Sequence, residues 1–324
     1  MKIRWGRVLI LTVTAGLIVA LIRGCVMARR AGEAETQRPP GAVAVVRVYD
    51  TRAEALLTMP LEEYLVGVVA GEMPVSFPLE ALKAQAVAAR SYTVYHALRG
   101  GCAAHDADVC TSSACCQAHA DEARLKERWG EDYEENEAIV RRAVTETAGE
   151  LLLYDGEPIE ALYHSASGGG TENVEDVYKN ALPYLRAVES RAEAGSSRIT
   201  GEKSLAAADF AALVNEKWPE AGLEAERLGE QIEILETTQS GRVQRVRLGR
   251  AEATGRQMRS LLSLDSALFT MELEDGVLTF HTRGYGHGVG MSQTGANVMA
   301  LGGRSYREIL LYYYTDVTLG VIAP

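Results

Sequence analysis

Positive charge is scarce in this chain of 324 residues, where 33 Lys and Arg stand against 44 Asp and Glu. The imbalance deepens beyond the first thirty residues, which hold Lys2, Arg4, Arg7, Arg23, Arg29 and Arg30 and no acid. An acidic body repels phosphate backbones and anionic membrane surfaces, so nucleic acid is excluded as a general partner. Internal repeats are lacking, and no hydrophobic run after Ile22 is long enough to be a second span, which excludes solenoids and polytopic membrane proteins. Neither His-Glu-x-x-His nor Gly-x-x-x-x-Gly-Lys-Ser/Thr occurs, so a zincin-type protease and a nucleotide phosphate loop are disfavoured. With 47% hydrophobic and 24% charged residues, what remains is a folded globular protein with a sizeable core, neither disordered nor a small disulfide-stapled scaffold.

Fifteen uncharged residues, Val8 to Ile22, follow a basic start. At 1.5 Å per residue they reach about 22 Å, so they span a bilayer only if Trp5 and Gly6 join and Arg23 snorkels. No small-x-small cleavage site stands out, which favours an uncleaved anchor over 1–30 with its amino end in the cytoplasm. Gly24-Cys25 hints at a lipoprotein site, but Arg23 speaks against it. Residues 31–42, with Pro39, Pro40 and Gly41, read as a linker, and 43–320 as one ectodomain outside the cytoplasm.

Within that body the periods are mixed. Val43–Tyr49 reads as a strand, Leu61–Val69 as a short helix stopped before Pro74, and Pro78 opens a second, alanine-rich helix through Tyr92. The acidic stretch 121–144 has helical spacing, Glu150–Tyr154 and Ile159–Tyr163 suggest a hairpin, and strands and helices mix irregularly thereafter. That order predicts an α+β fold, which we expect to be two-lobed with a substrate cleft, preceded by one N-terminal transmembrane helix.

Four segments carry candidate chemistry. In Gly71-Glu72-Met73-Pro74 a carboxylate is pinned between a helix end and a proline, where desolvation raises its pKa toward that of a general acid; a solvated helix end accounts for the local sequence as well. Cys102, His105, Cys110, Cys115, Cys116 and His119 crowd eighteen residues and suit zinc or disulfides. His105, Cys110 and Cys116 are the core metal ligands on this reading, and the fourth donor is Cys115, Cys102 or His119, because adjacent Cys115 and Cys116 do not easily share one ion. Tyr163 to Glu172 is rich in hydroxyls and glycine, and Arg283 to Ala296 sets four glycines in seven residues around His287, backbone freedom that suits a ligand but also a plain turn.

Taken together, Tyr64-Leu-Val-Gly-Val-Val-Ala-Gly-Glu72-Met-Pro, Glu80 to Tyr92, Tyr163 to Glu172, and Gly286-His-Gly-Val-Gly-Met-Ser-Gln-Thr-Gly-Ala296 resemble the stage II sporulation protein D family, in the same order, with Ile309–Tyr314 as its ending. The resemblance implies a membrane-anchored lytic transglycosylase that cuts peptide-stripped peptidoglycan glycan strands during forespore engulfment, with its ectodomain in the intermembrane space. Glu72 is then the catalytic acid. Arg90, Tyr92, Ser165, Gly169, Thr171, His287 and Gln293 line the substrate cleft, and His105, Cys110, Cys115 and Cys116 hold a structural zinc not required for catalysis, although members often have His where Cys115 stands. A partner amidase or endopeptidase and an integral membrane scaffold protein are the implied partners. Related members act instead as non-enzymatic amidase enhancers.

Overall fold

A computed structural model describes residues 43–178, 180–190 and 199–321. The expectations for residues 1–30 as a membrane anchor and 31–42 as a linker fall outside the described residues. The fold expectation needs correcting: among the described residues no helix is long and apolar enough to cross a membrane, and the chain forms a mixed α+β body with several small sheets. The reason is compositional. The longest described helix, Leu79–Leu98, has twenty residues but is rich in alanine and carries Glu80, Lys83 and Arg90.

The described residues belong to one contact unit that holds two hydrophobic cores. In the first, strand Val45–Asp50 pairs antiparallel with Ala55–Pro60 and parallel with the two residues Val109–Cys110. Helix Leu61–Glu72 follows directly. Its residues Tyr64 to Ala70 are all buried, so it is a core helix and not an amphipathic surface one. Helix Leu79–Leu98 packs against it through an alanine-rich face, and Ala81, Ala84, Ala86, Ala88 and Ala89 are fully buried. Small side chains let the two backbones approach closely.

The acidic stretch forms two helices, Glu122–Trp129 and Tyr133–Thr145, which cover this core from one side. Asp121 caps the first by accepting from the Arg124 amide, satisfying one of the donors a helix start leaves unpaired. Strand Glu150–Tyr154 pairs with Glu157–Pro158 and with the C-terminal Thr318–Val321. Residues 159–162 are not a strand. Instead Tyr163–His164 pairs parallel with Met291–Ser292, which joins two segments 128 positions apart, and the last helix is Tyr306–Tyr313.

The second core lies between 200 and 283. Strand Val277–Arg283 is flanked by Phe269–Glu274 and Thr200–Ala206, and Val243–Leu248 by Ile232–Thr237 and Ala251–Ala253. Helices Ala207–Lys217 and Gly255–Leu262 complete it around Phe210, Phe280 and Met258. A capping box at Thr254 and Gln257 fixes the start of the second of these helices.

Candidate functional site

Glu72 is the last residue of helix Leu61–Glu72, where Met73 turns to extended backbone ahead of Pro74. Each oxygen of its carboxylate accepts one hydrogen bond. Oε1 takes the Ala118 amide at 2.6 Å, and Oε2 takes the Gln293 side-chain amide at 3.0 Å. Glu72 is half-buried, and burial pushes its pKa above the ordinary carboxylate value, offset in part by these two donors. A carboxyl raised in this way holds its proton further toward neutral pH, while the two donors partly stabilise the anion left after donating it.

Two glycines explain how Ala118 comes so close. A Cβ on Gly71 would stand 3.0 Å from the Ala118 carbonyl oxygen, and one on Gly67 would stand 2.2 Å from the His119 ring. These residues lie four apart, on one face of the helix, and segment 118–120 rests in the channel they leave, with the Ala120 amide donating to the Gly67 carbonyl at 3.0 Å. Any larger side chain at Gly71 moves the amide that holds Glu72.

A polar network backs the carboxylate. The Tyr163 hydroxyl donates to Gln117 Oε1 at 2.7 Å, while Gln117 Nε2 donates to Thr93 at 3.0 Å and Tyr64 at 3.3 Å. Burial, and then the charge of Glu72, holds the Tyr163 phenol well above its usual pKa, so it stays a donor at any working pH. Gln293 stands at the start of helix Gln293–Leu301 and also donates to Gln85 at 3.4 Å. Gln85 is fully buried and its Nε2 has no partner among the described residues. Tyr163, Gln117 and Gln85 were missed as site residues by sequence reasoning. Each stood in or beside a segment with a signal: Tyr163 opens the motif that carries Ser165, Gln85 lies within Glu80 to Tyr92, and Gln117 follows Cys116.

The four cysteine thiols Cys102, Cys110, Cys115 and Cys116 lie within 4.8 Å of one another, with 3.3 Å between Cys102 and Cys115 and 3.8 Å between Cys115 and Cys116. A tetrahedron of Zn–S bonds about 2.3 Å long sets its sulfurs about 3.8 Å apart, so this donor set fits a soft divalent cation. Burial, with the neighbouring thiols, pushes Cys115 up to about 12; four sulfurs this close carry charge together only with a cation among them. Both adjacent cysteines are in the group. Cys102 joins them where His105 was expected, and the His105 ring stacks on Tyr49 at 3.9 Å. His119 stacks on Tyr64 at 5.3 Å.

The remaining expected cleft residues divide. Arg90 does not face a cleft: it is fully buried, grips Glu62 through two bonds of 2.9 and 2.7 Å, and donates to the carbonyls of Glu150 and Val144. Five fixed donors on a guanidinium suit this clamp between helices and strand. Tyr92 is buried with its hydroxyl on Cys116 and its ring 4.2 Å from His96. Thr171 is buried and exchanges bonds with Val188. The Ser165 carbonyl accepts from Thr294, and the Gly169 carbonyl from Ser190, with Gly169 at φ +133°, a conformation that requires glycine.

His287 is half-buried, its Nδ1 accepting from the Val289 amide at 3.1 Å, its ring 5.6 Å from His164 and 6.0 Å from Tyr178. Burial, then the charge of Arg259, brings its pKa down to about 4, so it is a neutral imidazole. Nearby, Glu172 and Arg242 form a buried ion pair at 3.0 Å, with the Thr238 and Ser240 hydroxyls also on the carboxylate. A cavity of about 400 Å³ lined by Ser190, Met299, Tyr312 and Tyr313 lies elsewhere, and Glu72 is not among its walls.

A carboxylate at a helix end, held by donors from two distant segments at Ala118 and Gln293 and backed by a polar network, defines the site as one built around a single acid. The chain belongs to the stage II sporulation protein D family. The family model described as Stage II sporulation protein matches residues 49–154, which include Glu72 and the four clustered cysteines. Stage II sporulation protein D of Bacillus subtilis (strain 168) is 37% identical over 270 residues, 83% of this chain and 77% of that protein. That of Bacillus amyloliquefaciens is 35% identical over 282 residues, covering 85% and 78%. An amidase enhancer of Bacillus subtilis is 27% identical over 302 residues, 79% of this chain and 40% of that protein.

Proposed function

We infer that this sporulation protein is a lytic transglycosylase that cleaves peptidoglycan glycan strands outside the cytoplasm, with Glu72 acting first as acid and then as base. The observation that carries the reading is the Glu72 carboxyl itself, enclosed, weakened as an acid, and held by one donor on each oxygen. Glu72 gives its proton to the glycosidic oxygen as the bond from the muramic anomeric carbon breaks. Ala118 and Gln293 then stabilise the carboxylate as charge develops on it. The primary hydroxyl of the same muramic residue attacks the anomeric carbon and returns its proton to Glu72, which closes the anhydro ring. One carboxylate serves both steps, whereas hydrolysis by the common route uses two.

Cys102, Cys110, Cys115 and Cys116 would hold a structural zinc. Bound there, it would supply rigidity to the loop that ends in Gln117 and Ala118, and the chemistry uses only the chain's own groups. An amidase that strips peptides from the strands and an integral membrane scaffold are the partners this reading calls for. The amidase-enhancer relative supports a second reading, in which the protein binds wall glycan and stimulates such an amidase without cleaving.

Incubation of peptide-free glycan strands with the protein and with Glu72→Gln separates the two. Anhydro-muramic ends formed by the native protein alone support the first reading. Strands bound but uncut by both proteins overturn it in favour of the second, and new reducing ends mean a hydrolase.

A further inference from the structure

Around His287 the chain gathers positive charge that its acidic composition does not lead one to expect. Arg256 and Arg259 stand about one turn apart on helix Gly255–Leu262. The Arg256 guanidinium lies over the Tyr178 ring, 4.9 Å from its centre, and Tyr178 meets His287 edge-on. The charges acting on His287 are those of Arg259, Arg242 and Arg256, in that order.

These three cations differ in their commitments. Arg242 is paired with Glu172 at 3.0 Å. Arg256 and Arg259 have no carboxylate within 4.0 Å among the described residues; Asp265 acts on Arg259 only from beyond that distance. Arg259 is half-buried, and among the described residues a single bond from its Nε to the Leu264 carbonyl at 3.2 Å leaves the rest of the fork unengaged. A guanidinium partly withdrawn from water with no counter-ion carries a desolvation cost that an incoming anion offsets. Paired guanidinium groups beside aromatic faces suit a carboxylate carried on a sugar.

This cluster and Glu72 are linked through one residue. The backbone of Tyr163 bonds to His287, and its hydroxyl reaches Gln117, beside the amide that holds Glu72. Removal of a stem peptide from a muramic residue breaks the amide at its lactyl group and leaves a free carboxylate there. A peptide-bearing residue has an uncharged amide at the same atom. We propose that Arg256 and Arg259, flanked by Tyr178 and His287, form a subsite for the lactyl carboxylate of peptide-free muramic residues and thereby select stripped strands. The inference rests on the transglycosylase reading above.

The test uses full-length Glu72→Gln for binding and the native enzyme for cleavage. The probes are peptide-free strands with free lactyl carboxylates and the same strands neutralised by carbodiimide coupling to methylamine. Charged strands bind about tenfold more tightly than neutral ones, the scale of one charged hydrogen bond. Arg256→Gln combined with Arg259→Gln abolishes that preference, and Arg259→Lys, which keeps the charge, retains most of it. Equal binding of both strands, or a preference that survives the double variant, overturns the subsite. Arg256 is exposed, so Arg256→Gln alone halves the preference or better and decides the matter if the double variant does not fold. Cleavage is read separately: strand preference without anhydro ends leaves the subsite standing and refutes the transglycosylase, while binding to neither strand refutes both.

Discussion

Glu72→Gln should inactivate the protein and at the same time stabilise it above neutral pH. The ordinary value for its carboxyl is 4.5, and the folded chain holds it higher because burial disfavours the charged form. Below the unfolded pKa the carboxyl is protonated in both states and burial of its charge costs nothing. As pH rises through the folded pKa the native state must ionise a group the unfolded chain ionises more readily, and stability falls. Each unit of elevation is worth about 1.4 kcal/mol at high pH. For a body of this size each kcal/mol moves Tm by roughly 2 to 4 °C. The amide is isosteric and can be paired in place: it accepts from Ala118, and a flip of Gln293 turns an oxygen toward its NH₂ while a matching flip of Gln85, whose Oε1 now faces Gln293 and whose Nε2 lacks a partner, lets that Nε2 donate to the same oxygen. Loss of the proton donor lowers cleavage by about 10² to 10⁴-fold. Thermal unfolding of both proteins from about pH 4 to about pH 8, beside anhydro-end counts by mass spectrometry, checks both halves. Melting curves that stay parallel across that range would refute the enclosure of the carboxylate, whatever the activity shows.

Further outcomes follow from the same geometry. Cleavage should decline as pH rises through the elevated pKa of Glu72, because the protonated form is the acid; a rate flat from about pH 5 to about pH 9 argues for another proton donor. Tyr163→Phe leaves Gln117 Oε1 without its 2.7 Å donor and should lower stability by about 1 to 3 kcal/mol and cleavage about tenfold; unchanged urea midpoint and rate mean the network is idle. Arg242→Met strands the Glu172 charge at 1% exposure, with an expected loss of about 3 to 5 kcal/mol in urea unfolding; a loss below about 1 kcal/mol means the two hydroxyls suffice for that carboxylate. Cys102→Ser should lose bound zinc in native mass spectrometry and His105→Ala should keep it, and the reverse pattern restores His105 as a ligand.

Some of this was written locally in the chain. The helix ending at Glu72 is announced by Pro74 and the helix after it by Pro78, since such signals act within one turn. Local order also located every segment that meets at the carboxylate. It misjudged which side chains face outward: Arg90 looks like a cleft residue until helix, strand and Glu62 close around it. The spacing of the cysteines could not choose between Cys102 and His105, because a thiol and an imidazole a few residues apart are equally placed until the loop folds back along strand Val45–Asp50.

The sequence by itself therefore determined the mixed α+β content, the placement of Glu72 at a helix end and the crowding of cysteines in one loop, for each depends on residue types and periods within a short stretch. Tertiary structure alone decided how the Glu72 carboxyl is held. The Gly67 and Gly71 channel that admits Ala118, the parallel pairing that brings Tyr163 beside Met291, and the reach of Gln293 across 221 positions are contacts whose partners are distant along the chain. Their energies come from burial and close approach, which no local period encodes.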